Sequence, residues 1–217
     1  MFAPAAVLFL AAYGCGAGPP APQPAATPRA EVPPPNPQTG FTNIVSGSSD
    51  SVGATSGSAA APYRYRFRQL DPPSDRFTYQ DRELSFYFKP SPDALHFQIE
   101  NRQDRPVWIE WDRSTFIGSW GNFGKIANST STWANRYSSQ APTQIMGLQR
   151  YGDYLLPMEY LLDPAGSGSQ LHRPLLPQDG TSPQYSGRTF GVDLVLRVEG
   201  NLRTYSFRFR VESVTPN

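Results

Sequence analysis

Glu110 and Asp112 are the two carboxylates whose type and spacing best suit chemistry in this sequence. Alternation along an extended chain puts residues two apart on one face of a strand. There a carboxylate pair serves as general acid and base, or binds a hard cation. Trp108 falls on the same face, and an aromatic ring beside two carboxylates makes a sugar-binding surface. The plainer account is that half-exposed strands routinely carry charge on the solvent side. His96 and His172 are the only histidines, and a histidine-based metal site would need both. His96 alternates out of the Leu95, Phe97, Ile99 face while His172 falls in a loop-like stretch, so they read as unrelated surface residues. The chain has no glycine-rich nucleotide loop, no Gly-x-Ser-x-Gly elbow and no His-Glu-x-x-His. The expectation is a non-catalytic protein with no cofactor and no metal.

Arginine offers a second chemistry. Arg64, Arg66 and Arg68 share one face of an alternating segment, with Arg208 and Arg210 near the C-terminus. Guanidinium forks suit anionic surfaces such as lipid headgroups or glycan phosphates. Their aliphatic stems also cover apolar surface, and Arg208 has an expected partner in Asp193. With Trp108, Glu110 and Asp112, the Arg64, Arg66, Arg68 stripe completes the candidate ligand surface. Trp120, Phe123, Trp133 and Tyr137 lie among Gly, Ser and Asn. They would either make a protein or glycan contact or, as we expect, pack over the open end of the domain. Asn128-Ser129-Thr130 matches a glycosylation acceptor, a pattern common by chance.

The elements that position these residues read as strands. Tyr63, Tyr65 and Phe67 alternate with the three arginines, as in a half-buried strand. Arg76 to Tyr79, Leu84 to Lys89, Leu95 to Glu100 and Val107 to Asp112 follow, separated by Pro- and Asp-rich turns. Spacing of this kind predicts an all-β antiparallel sandwich. Thr189 to Val198 and Leu202 to Val211 flank Gly200-Asn201, read as a type II′ hairpin loop. Setting Glu199 opposite Leu202 places Leu196 against Tyr205, Leu194 against Phe207, Val192 against Phe209 and Phe190 against Val211, with Arg208 opposite Asp193. The longest apolar run, Tyr154 to Leu162, contains Pro157 and reads as a bent strand or two short ones. Residues 163 to 187 read as a long surface loop.

The chain has 217 residues and a formal net charge of +1, which bounds it to one sizeable domain and removes the strongest argument for non-specific nucleic-acid binding, which needs a basic surface. Of its 19 basic residues only Lys89 and Lys125 are lysines, a skew read as genome composition. Residues 1 to 62 hold 11 of the 23 prolines and only Arg29, Glu31 and Asp50 as charged side chains, so disorder is expected for most of that stretch. Met1 to Gly14 has an apolar core from Ala5 to Ala12, suited to a secretory signal and too short to span a bilayer. Residues 19 to 40 read as a polyproline-biased spacer and 46 to 62 as a flexible one, together a tether. Cys15 is the single cysteine, which rules out an internal disulfide.

Ala12-Tyr13-Gly14-Cys15 resembles a bacterial lipobox. That resemblance implies a signal peptide over 1–14, acylation of Cys15, and a lipid-anchored linker over 15–62. Several acyl chains hold a protein on a membrane because each buried methylene contributes about 0.8 kcal/mol. Gly16 after the cysteine, under the family's sorting rule, implies the outer membrane facing the periplasm. The stretch from Leu95 through Asn101 to Trp111-Asp112, with Ser114-Thr115-Phe116, Gly121 to Ile126 and Gln140-Ala141-Pro142, resembles immunoglobulin-like domains of bacterial envelope lipoproteins. The implied protein is a non-catalytic envelope lipoprotein whose sandwich, residues 63–217, binds or scaffolds an envelope protein or peptidoglycan. The alternatives are a periplasmic hydrolase using Glu110 and Asp112, and a structural subunit of a secretion or pilus assembly.

Overall fold

The computed structural model describes residues 62–168 and 170–217. The signal-like segment, Cys15 and the tether lie outside the described residues. Twelve strands follow in chain order: β1 (Tyr63–Asp71), β2 (Pro73–Ser74), β3 (Thr78–Gln80), β4 (Leu84–Pro90), β5 (Leu95–Asn101), β6 (Val107–Ile109), β7 (Thr115–Ile117), β8 (Phe123–Ala127), β9 (Thr143–Ile145), β10 (Arg150–Pro157), β11 (Thr189–Val198) and β12 (Asn201–Pro216). One hydrogen-bonded path runs β2-β1-β12-β11-β7-β8-β10-β5-β4-β3, with β6 on β11 and β9 on β6. The pairs β1–β12, β11–β12, β4–β5 and β10–β5 are antiparallel. The path folds over at β8, whose first residues pair with β7 and whose last pair with β10.

The two layers meet through alternate side chains, as in immunoglobulin-like sandwiches. Phe86 and Phe88 of β4 meet Tyr205, Phe207 and Phe209 of β12, with ring centroids 4.5–5.2 Å apart. Such tilted aromatic pairs add to the burial that drives the layers together. The all-β antiparallel class expected from alternation is the class the chain adopts.

The C-terminal hairpin differs from the expected register by two residues. Val198 faces Asn201, so Leu194 meets Tyr205, Val192 meets Phe207 and Phe190 meets Phe209. A two-residue shift leaves every apolar residue on the same face, which is why alternation alone did not separate the two registers. The turn is Glu199-Gly200, with φ of 51° and 81°, and positive φ at both central residues is the type I′ requirement. Arg208 now lies opposite Gly191 and reaches Asp193 diagonally, at 2.8 Å. The missing side chain of buried Gly191 makes room for it: a Cβ there would lie 2.8 Å from Arg208 Cδ and 2.2 Å from the Phe207 carbonyl oxygen.

Three expected segments take other forms. The strand from Val107 stops at Ile109, and Trp111–Arg113 is a 3-10 turn. Trp111 causes this: its ring is fully buried beside Phe97 and its indole N–H donates to Thr143 Oγ1 at 2.8 Å. Ser114 holds the turn, donating to the Glu110 carbonyl and accepting from the Val195 amide. The apolar run of 154–162 belongs to a strand that begins at Arg150, ends at Pro157 and continues as the 3-10 turn Met158–Tyr160. Residues 163–187 are in part a packed strap. Leu175 and Leu176 are buried, their amides donate to the Asp93 and Pro92 carbonyls, and Tyr65 donates its hydroxyl to the Pro177 carbonyl.

Candidate functional site

Trp108, Glu110 and Asp112 do not form one site. Trp108 on β6 lies opposite Arg197 on β11, whose guanidinium carbon sits 4.9 Å above the indole ring. The same guanidinium is 3.0 Å from Glu110, so a cation that also stacks on Trp108 already occupies that carboxylate. Asp112 turns away in the 3-10 turn. It accepts from the Ser139 hydroxyl and from the Gln140 amide, 3.1 Å away, with Lys125 at 3.8 Å. The Ser139 hydrogen bond, then the Gln140 amide, hold its carboxyl below the usual carboxylate range, with Lys125 a smaller influence. A general acid needs the opposite shift. The arrangement makes Asp112 the anchor of the loop that carries Trp133, Arg136 and Tyr137.

Arg64, Arg66 and Arg68 are exposed on the outer face of β1, as alternation predicts. Arg68 lies opposite Arg210 and ion-pairs with Glu212 at 2.5 Å. Glu212 is the extra residue at a bulge, because Arg66 faces Ser213 while Phe67 faces Val211. Trp108 and Glu110 share this outer face at its far corner. Arg210 is level with Thr189 and Trp108 with Arg197, a separation of about 27 Å along β11. The expected ligand surface therefore divides into two distant parts.

The two histidines also depart from expectation. Tyr154 stands between them, 6.4 Å from the His96 ring and 5.6 Å from the His172 ring. His96 is half-buried, and desolvation lowers its pKa despite the opposing pull of Asp93. Among the described residues no group of three His, Cys, Asp or Glu side chains is placed to hold a metal ion. Asn128 is 1% exposed, and its amide oxygen accepts from Thr130 N, Thr130 Oγ1 and Ser131 Oγ. Burial makes it a loop-forming residue, inaccessible as a glycan acceptor.

A further surface is built at the β7–β8 turn, where expectation favoured packing. The turn closes through Gly118 N to the Asn122 carbonyl and Gly121 N to the Gly118 carbonyl. Gly121 supplies a φ of 79°, and Asn122 donates to Glu159 at 3.1 Å. Trp120 and Phe123 are thereby held 54% and 74% exposed. Arg188 lies 3.9 Å over the indole, and Tyr185 meets it edge-on at 5.7 Å. The indole N–H reaches the Tyr185 hydroxyl at 3.4 Å. Next to Tyr185, Arg173 lies 4.2 Å over Tyr160. Trp120 and Phe123 were visible in the sequence as aromatics on a Gly/Ser/Asn loop. Their partners at 185 and 188 were not, because no local pattern links positions that far apart. Trp133, by contrast, packs against the core, while Tyr137 stays exposed beside Arg136.

No family model, curated protein or solved structure matches this chain.

Proposed function

We propose that the chain is a non-catalytic cell-envelope lipoprotein: acylated at Cys15, held on the periplasmic face of the outer membrane, and displaying its β-sandwich on the 15–62 tether as a binding module. The observation that carries the binding role is the Trp120, Phe123, Tyr185, Arg188 surface. Exposed rings held by a closed turn and by a stacked guanidinium bind with little loss of side-chain freedom, and aromatic and Arg residues dominate protein contacts. An envelope protein or peptidoglycan is the partner class that a tethered domain would reach. Separate cations on Glu110 and Asp112 support this reading over a hydrolase, whose carboxylates must work on one bond. The lipobox-like Ala12 to Cys15 carries the location.

Two measurements test the reading. Radiolabelled palmitate should enter the full-length protein in a bacterial host and not the Cys15→Ser variant; no label in a host that acylates other lipoproteins removes the anchor. A photo-crosslinker at position 123 should capture an envelope component, and Trp120→Ala should abolish capture. Equal capture by both proteins would refute a role for this surface.

A further inference from the structure

We propose that the outer face of β1 and β12 is a second binding site, for the phosphate groups of an anionic phospholipid surface. Opposite charges are the stable choice for directly facing residues in a sheet, yet Arg68 faces Arg210 and the same face carries Arg64 and Arg66. The acids nearby do not balance this evenly. Glu212 pairs with Arg68, Asp193 pairs with Arg208, and Asp71 lies opposite Arg208. Arg64, Arg66 and Arg210 are in no ion pair among the described residues, and all three are exposed. Positive charge is therefore left over at one end of the face. The residues opposite it are hydroxyl-bearing: Thr215 faces Arg64, Ser213 faces Arg66 and Thr189 faces Arg210.

Guanidinium forks are donors only, and the hydroxyls beside them can donate too, to the oxygens of a phosphate. Arginines two apart on a strand repeat about every 6.8 Å along the open outer face of β1. A planar array of phosphates matches that pattern better than one enclosed anion. The tether is a poor occupant, since residues 1–62 carry only Glu31 and Asp50 as acids. Because Arg64 follows the tether directly, a membrane-held chain would bring this end to the bilayer first. The site does not depend on acylation, and its test is arranged to fail separately from that of the anchor.

The full-length Cys15→Ser chain is sedimented with vesicles of equal parts phosphatidylglycerol and phosphatidylcholine, and with vesicles of phosphatidylcholine alone. The apolar segment Ala5 to Ala12 is common to all arms, so only the difference between vesicles is read. Anionic vesicles should bind the chain more tightly. Each arginine near a negative surface contributes about fivefold, so combining Arg64→Gln, Arg66→Gln and Arg210→Gln should weaken binding about 100-fold. Binding should also fall as salt shortens the Debye length to about 3 Å. Arg150→Gln, which removes a cation paired with Glu100 at 3.3 Å on the other layer, should leave binding unchanged. Circular dichroism of each variant confirms that the fold persists. Equal binding to both vesicle types, full retention by the triple variant, or an equal loss with Arg150→Gln overturns the proposal. So does binding to soluble polyphosphate but not to vesicles, which would make a free phosphate polymer the ligand.

Discussion

Replacing Asp112 by alanine separates a loop anchor from a ligand or catalytic carboxylate. Asp112 accepts from the Ser139 hydroxyl and from the Gln140 amide at 3.1 Å, and Gln140 in turn donates its side-chain amide to the Ile126 carbonyl at 2.9 Å. One carboxylate thus fastens the far end of the loop bearing Trp133, Arg136 and Tyr137. Each hydrogen bond contributes about 0.5–1.5 kcal/mol net. The carboxylate is partly exposed, so solvent screening keeps the charged contribution, and that of Lys125, at the low end. Losing both bonds should lower the free energy of local opening by about 1–2 kcal/mol, a loss of protection of about 5- to 30-fold. Native-state hydrogen exchange at the Gln140 amide reads this directly. Global stability, measured by urea, should move by no more than the same amount.

The pH dependence has a definite sign. Hydrogen bonding to Ser139 and Gln140 depresses the Asp112 carboxyl below its ordinary range. A depressed carboxyl contributes stability that is fully present above the unfolded value and is lost as pH falls through the lower folded value. Protection of Gln140, corrected for intrinsic exchange, should therefore hold from neutral pH into the ordinary carboxylate range and drop below it. Asp112→Asn keeps an acceptor oxygen but has no charge to lose, so its protection should show no acid step. Unchanged protection at Gln140 in Asp112→Ala, or the same acid step in Asp112→Asn, would refute the anchoring role.

Glu199 adopts a left-handed φ of 51° in a turn that favours Asn or Gly, so Glu199→Asn should stabilise the fold by about 0.5–1 kcal/mol and raise the urea midpoint at constant m-value. Gly191→Ala drives a methyl to 2.2 Å from the Phe207 carbonyl oxygen; a loss of about 1–3 kcal/mol is expected in thermal or urea unfolding. Asp153 is buried and accepts from Ser129 N, Ser129 Oγ, Tyr151 OH and Tyr154 N at 2.7–3.1 Å. Asp153→Ala strands those donors and should cost about 3–5 kcal/mol, whereas an unchanged unfolding midpoint would show that the donors find other partners.

The parts of this protein legible in its sequence are those that depend on parity. Period-two alternation set the inward residues of β1, β4, β5, β11 and β12, and it put Arg64, Arg66 and Arg68 on one outer face. It could not supply register, because a shift by two preserves parity; that was decided at Glu199-Gly200 and by the room over Gly191. Nor could it say where a strand stops. Val107, Ile109 and Trp111 continue one inward series and all are buried, yet the chain leaves the strand after Ile109 because the indole must reach Thr143. The departure of Asp112 from the side of Glu110 follows from that one buried polar contact.

For the same physical reason both candidate surfaces were only half visible. The arginine stripe was readable as far as one strand goes, but its charge excess depends on Arg210 landing opposite Arg68, which the bulge at Glu212 arranges. The Trp120 surface depends on residues 185 and 188, brought in at the end of the strap that Leu175 and Leu176 pin to the turn before β5. The strap joins core to surface: its leucines are buried by the effect that closes the sandwich, and in being buried they position Tyr185 and Arg188 against Trp120. Loosening the strap should therefore disorder the aromatic surface before it unfolds the sheets. Leu176→Ala should quench or shift Trp120 fluorescence at urea concentrations where far-ultraviolet circular dichroism is still native. Coincident transitions by the two probes would show that strap and sandwich form a single cooperative unit.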